Sequence, residues 1–286
     1  MKRCVNYCLV LLLLFGVEQV QAQITTPQPS PMGTIEQKVG LTDIKISYSR
    51  PSAKGRKIFG DLAPYNAVWR TGANASTKIS FSDEVTIEGN KIPAGEYALY
   101  TIPGENEWTI ILNNNLTLGG SDGYQESEDA TRFKVKPVTT SLPTETFTIG
   151  IGDLTLDAAQ VAIMWENTLV KFKVQTDVDK KVMAQIEKTM AKPEATLGNL
   201  YFQSAAYYYE ADKDLNKALE WVNKALEIND AFWILHLKAK IQGKMKDYKN
   251  AVATAEKSIA KAKEAKNNDY VRLNEKLIAQ YKITKK

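Results

Sequence analysis

The chain is poor in the side chains that most enzymes use as nucleophiles or metal ligands. Its 286 residues include two cysteines, Cys4 and Cys8, and a single histidine, His236. A zinc hydrolase and a disulfide framework each need more of these residues. A Ser-His-Asp triad would have to use His236, which lies in a helical repeat near the C-terminus, far from the loop-rich part of the chain. We therefore expect no metal and no cofactor, and among catalytic mechanisms only acid–base chemistry by carboxylates stays open.

Long apolar runs are also missing. The apolar run near the N-terminus covers residues 9–17, whereas a membrane-spanning helix needs about 20 apolar residues. Lys2 and Arg3 precede this run, and a Val-Gln-Ala segment that ends at Ala22 follows it, which is the pattern of a secretory signal peptide. We predict a signal peptide over residues 1–22, rather than a retained membrane anchor. The mature protein is then exported, periplasmic or secreted in a Gram-negative bacterium, without cysteine and without a membrane span.

Charge is divided unevenly along the chain. The formal net charge is +4, with 14 Lys and Arg against 17 Asp and Glu in residues 23–175, and 21 against 15 in residues 176–286. A basic C-terminal part could suggest nucleic acid, but export argues against that partner and the acidic residues are interspersed. We interpret the positive charge as a solvated helix surface and expect no nucleic-acid partner.

Residues 34–175 alternate apolar and polar side chains in short runs separated by turn residues. Residues 170–174, for example, place two lysines between three apolar residues, as in a half-buried antiparallel strand. Glu166-Asn167, between two such runs, predicts a tight hairpin. The pattern predicts roughly eight to ten strands and no helix. We therefore expect an all-β sandwich, jelly-roll-like, after a linker at residues 23–33.

Residues 176–286 change to the 3.6-residue period of amphipathic helices. Residues 217–226 align with residues 250–259 at an offset of 33, with small side chains at matching positions. This pattern resembles the tetratricopeptide repeat, whose unit is a helix–turn–helix of about 34 residues. Two units and a closing helix are fewer than an independent solenoid needs. We therefore expect this α-helical repeat domain to pack against the sandwich and to dock a protein partner.

The segment at residues 49–77 mixes glycines, prolines, cations and aromatics in a way that neither helices nor buried strands tolerate. We predict a long ordered loop, of the kind that often carries function. Guanidinium groups bind carboxylates or phosphates bidentately, and aromatic faces stack on sugar rings or cations. The candidate ligand-binding residues are Arg50, Lys54, Arg56, Tyr65, Trp69 and Arg70.

A structural interpretation of the same loop competes with the binding interpretation. Long loops need internal ties for their buried backbone groups. Arg50 and Arg70 would then donate hydrogen bonds to loop carbonyls, Trp69 would fill the sandwich edge, and Asn74 would cap a turn.

Several separated segments resemble a bacterial family. Besides the loop, they are Ile-Pro-Ala-Gly-Glu-Tyr at residues 92–97, Thr-Ile-Pro-Gly at 101–104, Glu-Trp-Thr-Ile-Ile-Leu-Asn at 107–113, and Asp-Ala-Thr-Arg at 129–132. Together they resemble the domain of unknown function 2911 family over residues 34–175. One departure is Asn66, where the pattern has glycine, and asparagine tolerates the same left-handed backbone. The resemblance implies no activity.

Three functions therefore compete. The leading hypothesis is an exported, non-catalytic binding protein, in which the 50–74 loop recognises a small anionic or glycan ligand and the helical repeats dock a protein partner. The alternatives are a glycan-directed hydrolase that uses paired carboxylates and a purely structural envelope protein. Binding requires at least three of the loop's arginine and aromatic side chains to line one cavity. Hydrolysis requires two acids that face each other, and the scattered candidates are Asp61, Glu96, Glu107, Asp129 and Glu145.

Overall fold

The structure, a computed structural model, describes residues 26–191 and 198–284. The predicted signal peptide at residues 1–22 lies outside the described residues. Within them, the N-terminal part consists of ten strands: β1 Met32–Val39, β2 Thr42–Ser49, β3 Thr77–Phe81, β4 Val85–Ile87, β5 Asn90–Ile92, β6 Gly95–Ile102, β7 Trp108–Asn113, β8 Asp129–Val135, β9 Val138–Gly152 and β10 Ala158–Thr176.

These strands form two antiparallel sheets. One sheet has the order β1-β2-β3-β6-β7-β8, and the other has the order β5-β4-β10-β9. Apolar side chains from both sheets, such as Ile46 and Leu99 from the first and Phe172 from the second, pack in one core. The hydroxyl of Tyr48 on β2 also joins the sheets, because it donates to the carbonyl of Ile149 on β9 (3.0 Å) and accepts from its amide (2.9 Å). The predicted β-sandwich is confirmed at this level.

The hairpin predicted at Glu166-Asn167 is wrong. Residues 158–176 form one continuous strand, and its pairing with β9 is irregular on both sides of Glu166. Glu166 has a left-handed backbone (φ +48°). In β10 the odd-numbered side chains are buried from Ala159 to Trp165. From Val170 onward the even-numbered side chains are buried instead. Glu166-Asn167 therefore marks a β-bulge. The bulge changes which side chains of β10 face the core, and the chain does not reverse its direction.

Helices follow the sandwich directly. In the described residues they are α1 Val178–Met190, α2 Gly198–Glu210, α3 Leu215–Ile228, α4 Phe232–Lys244, α5 Tyr248–Glu264 and α6 Asn268–Thr284. The two aligned segments of the sequence lie in α3 and α5, which pack against α2 and α4 respectively. Their small residues, such as Ala218 and Ala251, are fully buried, because a small side chain lets two helices approach closely.

Helix α1 attaches the helical part to the sandwich. Asp177 caps its N-terminus by accepting from the amide of Lys180 (3.2 Å). Lys181 forms an ion pair with Asp83, in the β3–β4 turn (2.6 Å), and its hydrogen bond lowers the pKa of that carboxyl. A methyl group added at Gly40 would overlap Val178. Helix α1 therefore contacts the sandwich at the β1–β2 and β3–β4 turns.

A buried polar network joins three helices around the chain's only histidine. Nδ1 of His236 lies 2.9 Å from Oδ1 of Asn274, whose amide group donates to Ser258 Oγ (2.9 Å) and to the carbonyl of Tyr270 (2.7 Å). Because the Asn274 amide nitrogen donates to both partners, its oxygen must accept from a protonated Nδ1. Burial, with a smaller contribution from the charge of Lys240, lowers the pKa of His236.

This network predicts an acid-sensitive helical part. Since the folded pKa of His236 lies below the value of about 6.5 in an unfolded chain, the unfolded state binds the proton more tightly. The stability contribution is complete above pH 6.5 and is lost as the pH falls through the folded pKa. We expect the melting temperature, followed by circular dichroism at 222 nm, to fall between pH 7.5 and 5. A His236→Gln variant should show a flatter profile over this range, and equal profiles for the two proteins would contradict the assignment.

Candidate functional site

The 50–74 loop connects β2 to β3 and is hydrogen-bonded to both sheets. Ser52 forms a bridge with Thr146 on β9, and Trp69 forms a bridge with Thr101 on β6. The amide of Trp69 donates to the Thr101 carbonyl (2.8 Å), and the amide of Thr101 donates back (3.0 Å). The loop is thus an ordered layer across the edge of the sandwich, as the sequence predicted.

Five large rings, two from the loop and three from the strands, pack together and are here called the aromatic cluster: Phe59, Trp69, Trp108, Phe147 and Trp165. The ring of Trp69 stacks on that of Trp165 with centroids 5.9 Å apart and an interplanar angle of 18°. The other contacts in the cluster are edge-to-face. Trp165 is buried, whereas Trp69 is only half-buried. Trp69 therefore fills the sandwich edge and still presents part of its ring to solvent.

Arg70 is held between two loops. Its Nη1 donates to the carbonyl of Asn74 and to that of Gly119 (2.9 Å). The guanidinium lies against Gly120, where an added Cβ would come within 3.0 Å of its Cζ. In the described part of the chain, Nε and Nη2 make no hydrogen bond. The geometry therefore fixes the orientation of the guanidinium and leaves one edge unused.

Arg56 and Lys54 lie at a tight turn. Lys54 and Gly55 both have positive φ, +52° and +72°, and both are exposed, as expected for a loop tip. The guanidinium of Arg56 folds back over this turn and donates to the carbonyls of Ala53 (3.0 Å) and Ser52 (2.7 Å). Arg56 is consequently preorganised although it remains exposed.

Arg50 and Tyr65 point elsewhere. Arg50 donates to the Phe147 carbonyl (3.3 Å) and to Thr148 Oγ1 (2.9 Å) on β9. The ring of Tyr65 covers Gly60, which has φ +84°, and an added Cβ there would come within 2.7 Å of the ring. Both residues therefore support the conformation of the loop.

One surface cavity brings part of the predicted set together. This aromatic cavity has a volume of about 300 Å³ and is lined by Ser30, Pro51, Arg56, Leu62, Trp69, Arg70, Gly72, Ala73, Asn74 and Trp165. Three of the predicted ligand-binding residues, Arg56, Trp69 and Arg70, thus line one concavity, whereas Arg50, Lys54 and Tyr65 do not. Asn74 forms part of the wall, with φ +59° and a hydrogen bond from Nδ2 to the Ser30 carbonyl (3.2 Å).

A second cavity lies on the other side of Arg56. This polar cavity has a volume of about 390 Å³ and is lined by Ala53, Gly55, Arg56, Lys57, Pro143, Thr144, Glu145, Glu166 and Asn167. Glu145 accepts from the amide of Lys54 (2.8 Å), and Glu166 accepts from the amide of Ile58 (3.3 Å). Two carboxylates from different strands therefore share one concavity with two cations.

Trp165 and Glu166 are among the lining residues that the sequence did not predict. Both lie in β10, where an apolar residue followed by Glu-Asn resembled the end of a strand and the start of a hairpin. The sequence did contain a signal for this bulge: apolar residues occupy odd-numbered positions up to Trp165 and even-numbered positions from Val170. It indicates a bulge, and bulges often redirect side chains beside functional sites.

The segment that supplies Gly119 to Arg70 is held by a compact polar cluster. Asp129 accepts from Arg132 Nη2 (2.6 Å) and from the hydroxyl of Tyr124 (2.8 Å). Burial, together with the hydrogen bond and charge of Asp129, raises the pKa of Tyr124. The Asp-Ala-Thr-Arg segment found in the sequence therefore stabilises the loop that orients Arg70.

Comparisons with known proteins identify a family and nothing finer. The profile of the family described as "Protein of unknown function (DUF2911)" matches residues 30–174. This match covers half of the chain and the whole of the loop. No curated protein and no solved structure matches the chain. Among the described residues, no helix has the length and apolar character that crossing a membrane requires.

Proposed function

The chain belongs to the DUF2911 family, and we propose that it is an exported, non-catalytic binding protein whose 50–74 loop recognises a small anionic or glycan ligand. One observation carries the proposal: Arg56, Trp69 and Arg70 line a single surface cavity. Arg56 is exposed and Arg70 is half-buried, and arginine and tryptophan side chains are enriched at recognition sites.

The chemistry of the aromatic cavity favours a sugar that bears a carboxylate. The half-buried ring of Trp69 offers a face for the C–H groups of a pyranose. Arg70 keeps Nε and Nη2 without a hydrogen bond in the described residues, and this edge fits a carboxylate bidentately. Both guanidinium groups are held in place by backbone carbonyls, so little side-chain entropy is lost on binding.

The helical part has a separate role in this proposal. Its helix pairs, the 33-residue offset and the buried small residues support a tetratricopeptide-like arrangement that docks a protein partner. The chain crosses between the sheets after β3, after β5 and after β8, which supports jelly-roll-like wiring. Export, to the periplasm or medium of a Gram-negative bacterium, rests on the sequence of residues 1–22.

A thermal-shift screen tests the binding site. We expect glucuronic or galacturonic acid, or a muramyl peptide, to raise the melting temperature of the mature protein by several degrees at saturating concentration. Arg70→Ala should abolish the shift, because a lost charge-assisted hydrogen bond costs about 1.5–3 kcal/mol. Lys54→Ala, at the exposed loop tip outside the cavity, is the matched control and should keep the shift.

Two further measurements keep the screen decisive. Arg70 also joins two loops, so the unliganded variant is checked for folding by its circular dichroism spectrum. Arg70→Lys retains the charge but not the planar fork, and it should show an intermediate shift. A flat response of the wild-type protein to every ligand would leave the structural role as the better explanation, since Arg50 and Arg70 do donate to backbone carbonyls.

A hydrolase is the second candidate, because Glu145 and Glu166 line the same polar cavity. Glycoside hydrolysis needs two carboxyl groups flanking the scissile bond. Release of reducing ends from acidic oligosaccharides would favour this function if Glu145→Gln and Glu166→Gln each removed it. No release by the wild-type protein would favour the binding function.

A further inference from the structure

We propose that the aromatic cavity and the polar cavity are adjoining subsites of one groove, which binds an acidic oligosaccharide of at least two sugar units. The inference rests on the proposed function and extends it from a single sugar to a chain. It is carried by the way the two cavities share their walls.

Three observations show that the cavities adjoin. Arg56 lines both of them. Trp165, which lines the aromatic cavity, is followed directly by Glu166, which lines the polar cavity. The indole Nε1 of Trp165 also donates to the carbonyl of Glu145 (3.1 Å), another residue of the polar cavity. A ligand that crosses Arg56 would therefore pass from one cavity into the other.

The polar cavity has the groups that sugar hydroxyls need. It combines the carboxylates of Glu145 and Glu166 with the cations of Arg56 and Lys57 and with the side-chain amide of Asn167, whose Nδ2 donates to the Thr140 carbonyl (2.9 Å). Within residues 26–191 and 198–284, none of these four charged groups forms an ion pair. One oxygen of each carboxylate accepts from a loop amide, and the other has no hydrogen-bond partner in the same ranges. Interspersed donors and acceptors suit a hydroxyl, which both donates and accepts.

This arrangement includes a strained backbone position. Glu166 is a non-glycine residue with φ +48°, a conformation that costs energy and tends to persist where it serves a site. It pairs with Thr144 in the irregular stretch of the β9–β10 ladder. The same stretch of β9 carries Glu145, so the bulge places both carboxylates beside the loop.

The cavity volumes favour a ligand longer than one unit. Each cavity, at about 300 and 390 Å³, lies at the lower end of the range of roughly 300–1,000 Å³ for ligand sites. The aromatic cavity has an indole and two guanidinium groups for an acidic sugar, and the polar cavity accepts the next sugar through its hydroxyls. An acidic glycan chain meets both requirements.

Isothermal titration calorimetry of the mature protein tests the groove. The probes are galacturonic acid and its α-1,4-linked dimer, trimer and tetramer, with maltose oligomers of equal length as neutral controls. We expect the Kd to fall at least about tenfold from monomer to trimer, as one or two additional hydrogen bonds to charged groups provide. The neutral series should bind at least about tenfold more weakly at each length.

Variants separate the two subsites. Glu166→Gln keeps an acceptor for the Ile58 amide. Asn167→Ala removes a side-chain amide together with its hydrogen bond to the Thr140 carbonyl (2.9 Å), so the folding of this variant is checked by circular dichroism. Each should weaken binding of the trimer at least about fivefold and leave the monomer Kd unchanged. Arg70→Ala should weaken both ligands. Asp61→Asn, in the same loop but lining neither cavity, is the control and should change neither Kd.

The outcomes distinguish this inference from the function on which it rests. Monomer and trimer of equal affinity, or variants of the polar cavity that affect both ligands equally, would overturn the groove and leave the single-sugar site standing. No binding of any acidic probe would overturn both. The groove would be supported by a wild-type affinity that rises with ligand length and that Glu166→Gln lowers only for the longer ligands.

Discussion

Replacement of Trp165 by alanine is expected to lower the free energy of unfolding by about 3–5 kcal/mol, the usual cost of removing a large buried aromatic side chain. Trp165 is only 1 % exposed. Its ring stacks on Trp69 and meets Phe59 and Phe147 edge-on, and its indole N–H donates to the Glu145 carbonyl. The variant loses all of these contacts and leaves a void beneath both cavities. Urea denaturation followed by circular dichroism measures the change.

Trp233→Ala is the matched control for this experiment. Trp233 lies on α4 and is 38 % exposed, so the same chemical change should cost less than about 1 kcal/mol. Similar losses for the two variants would contradict the central place assigned to the aromatic cluster. Trp165→Phe, which keeps a ring but cannot donate to Glu145, should fall between alanine and the wild type.

Replacement of Gly243 by alanine is expected to destabilise the helical part by about 1–3 kcal/mol. Gly243 lies near the end of α4, and an added methyl group would overlap the ring of Tyr281 on α6. Alanine normally improves a helix interior by about 1 kcal/mol relative to glycine, so a net loss would be diagnostic of this contact. The ring cannot move freely, because it is 7 % exposed and packs against Tyr248. Thermal unfolding followed at 222 nm measures the effect.

A double-mutant cycle identifies the partner. The three atoms nearest to the added methyl group are distal atoms of the Tyr281 side chain, and leucine lacks them. Gly243→Ala should therefore cost little in a Tyr281→Leu background, giving a coupling energy of about 1 kcal/mol or more. Gly152→Ala, where nothing lies within 4 Å of the new methyl group, is the neutral control. If Gly243→Ala lowers the free energy of unfolding equally in the Tyr281→Leu background, the destabilisation comes from contact with another residue.

Regular elements of this protein could be predicted from the sequence because their side-chain periods are local. The alternation in residues 170–174 depends on a few neighbouring residues, and the structure has a strand there. The cap of α1 by Asp177 is an equally local feature. Glu166 could not be interpreted in the same way. A glutamate with a left-handed backbone looks like a turn residue in the sequence, and only the pairing with β9 shows that the strand continues.

The candidate site was predictable in its residue types but not in its geometry. The loop composition indicated arginines and aromatic residues, and Arg56, Trp69 and Arg70 do line one cavity. Which guanidinium groups face that cavity depends on distant backbone carbonyls, such as those of Gly119 for Arg70 and Phe147 for Arg50. Residues far apart in the chain decide these orientations, so no local pattern contains them.

The attachment of the 50–74 loop to both sheets determines the stage of folding at which the aromatic cavity forms. Ser52 pairs with Thr146, 94 positions away in the chain, and Trp69 pairs with Thr101. Contacts of such long sequence separation form slowly, so the cavity proposed to bind a ligand is complete only after the sandwich has folded. A ligand of the proposed site would therefore bind only folded molecules and retard their global unfolding.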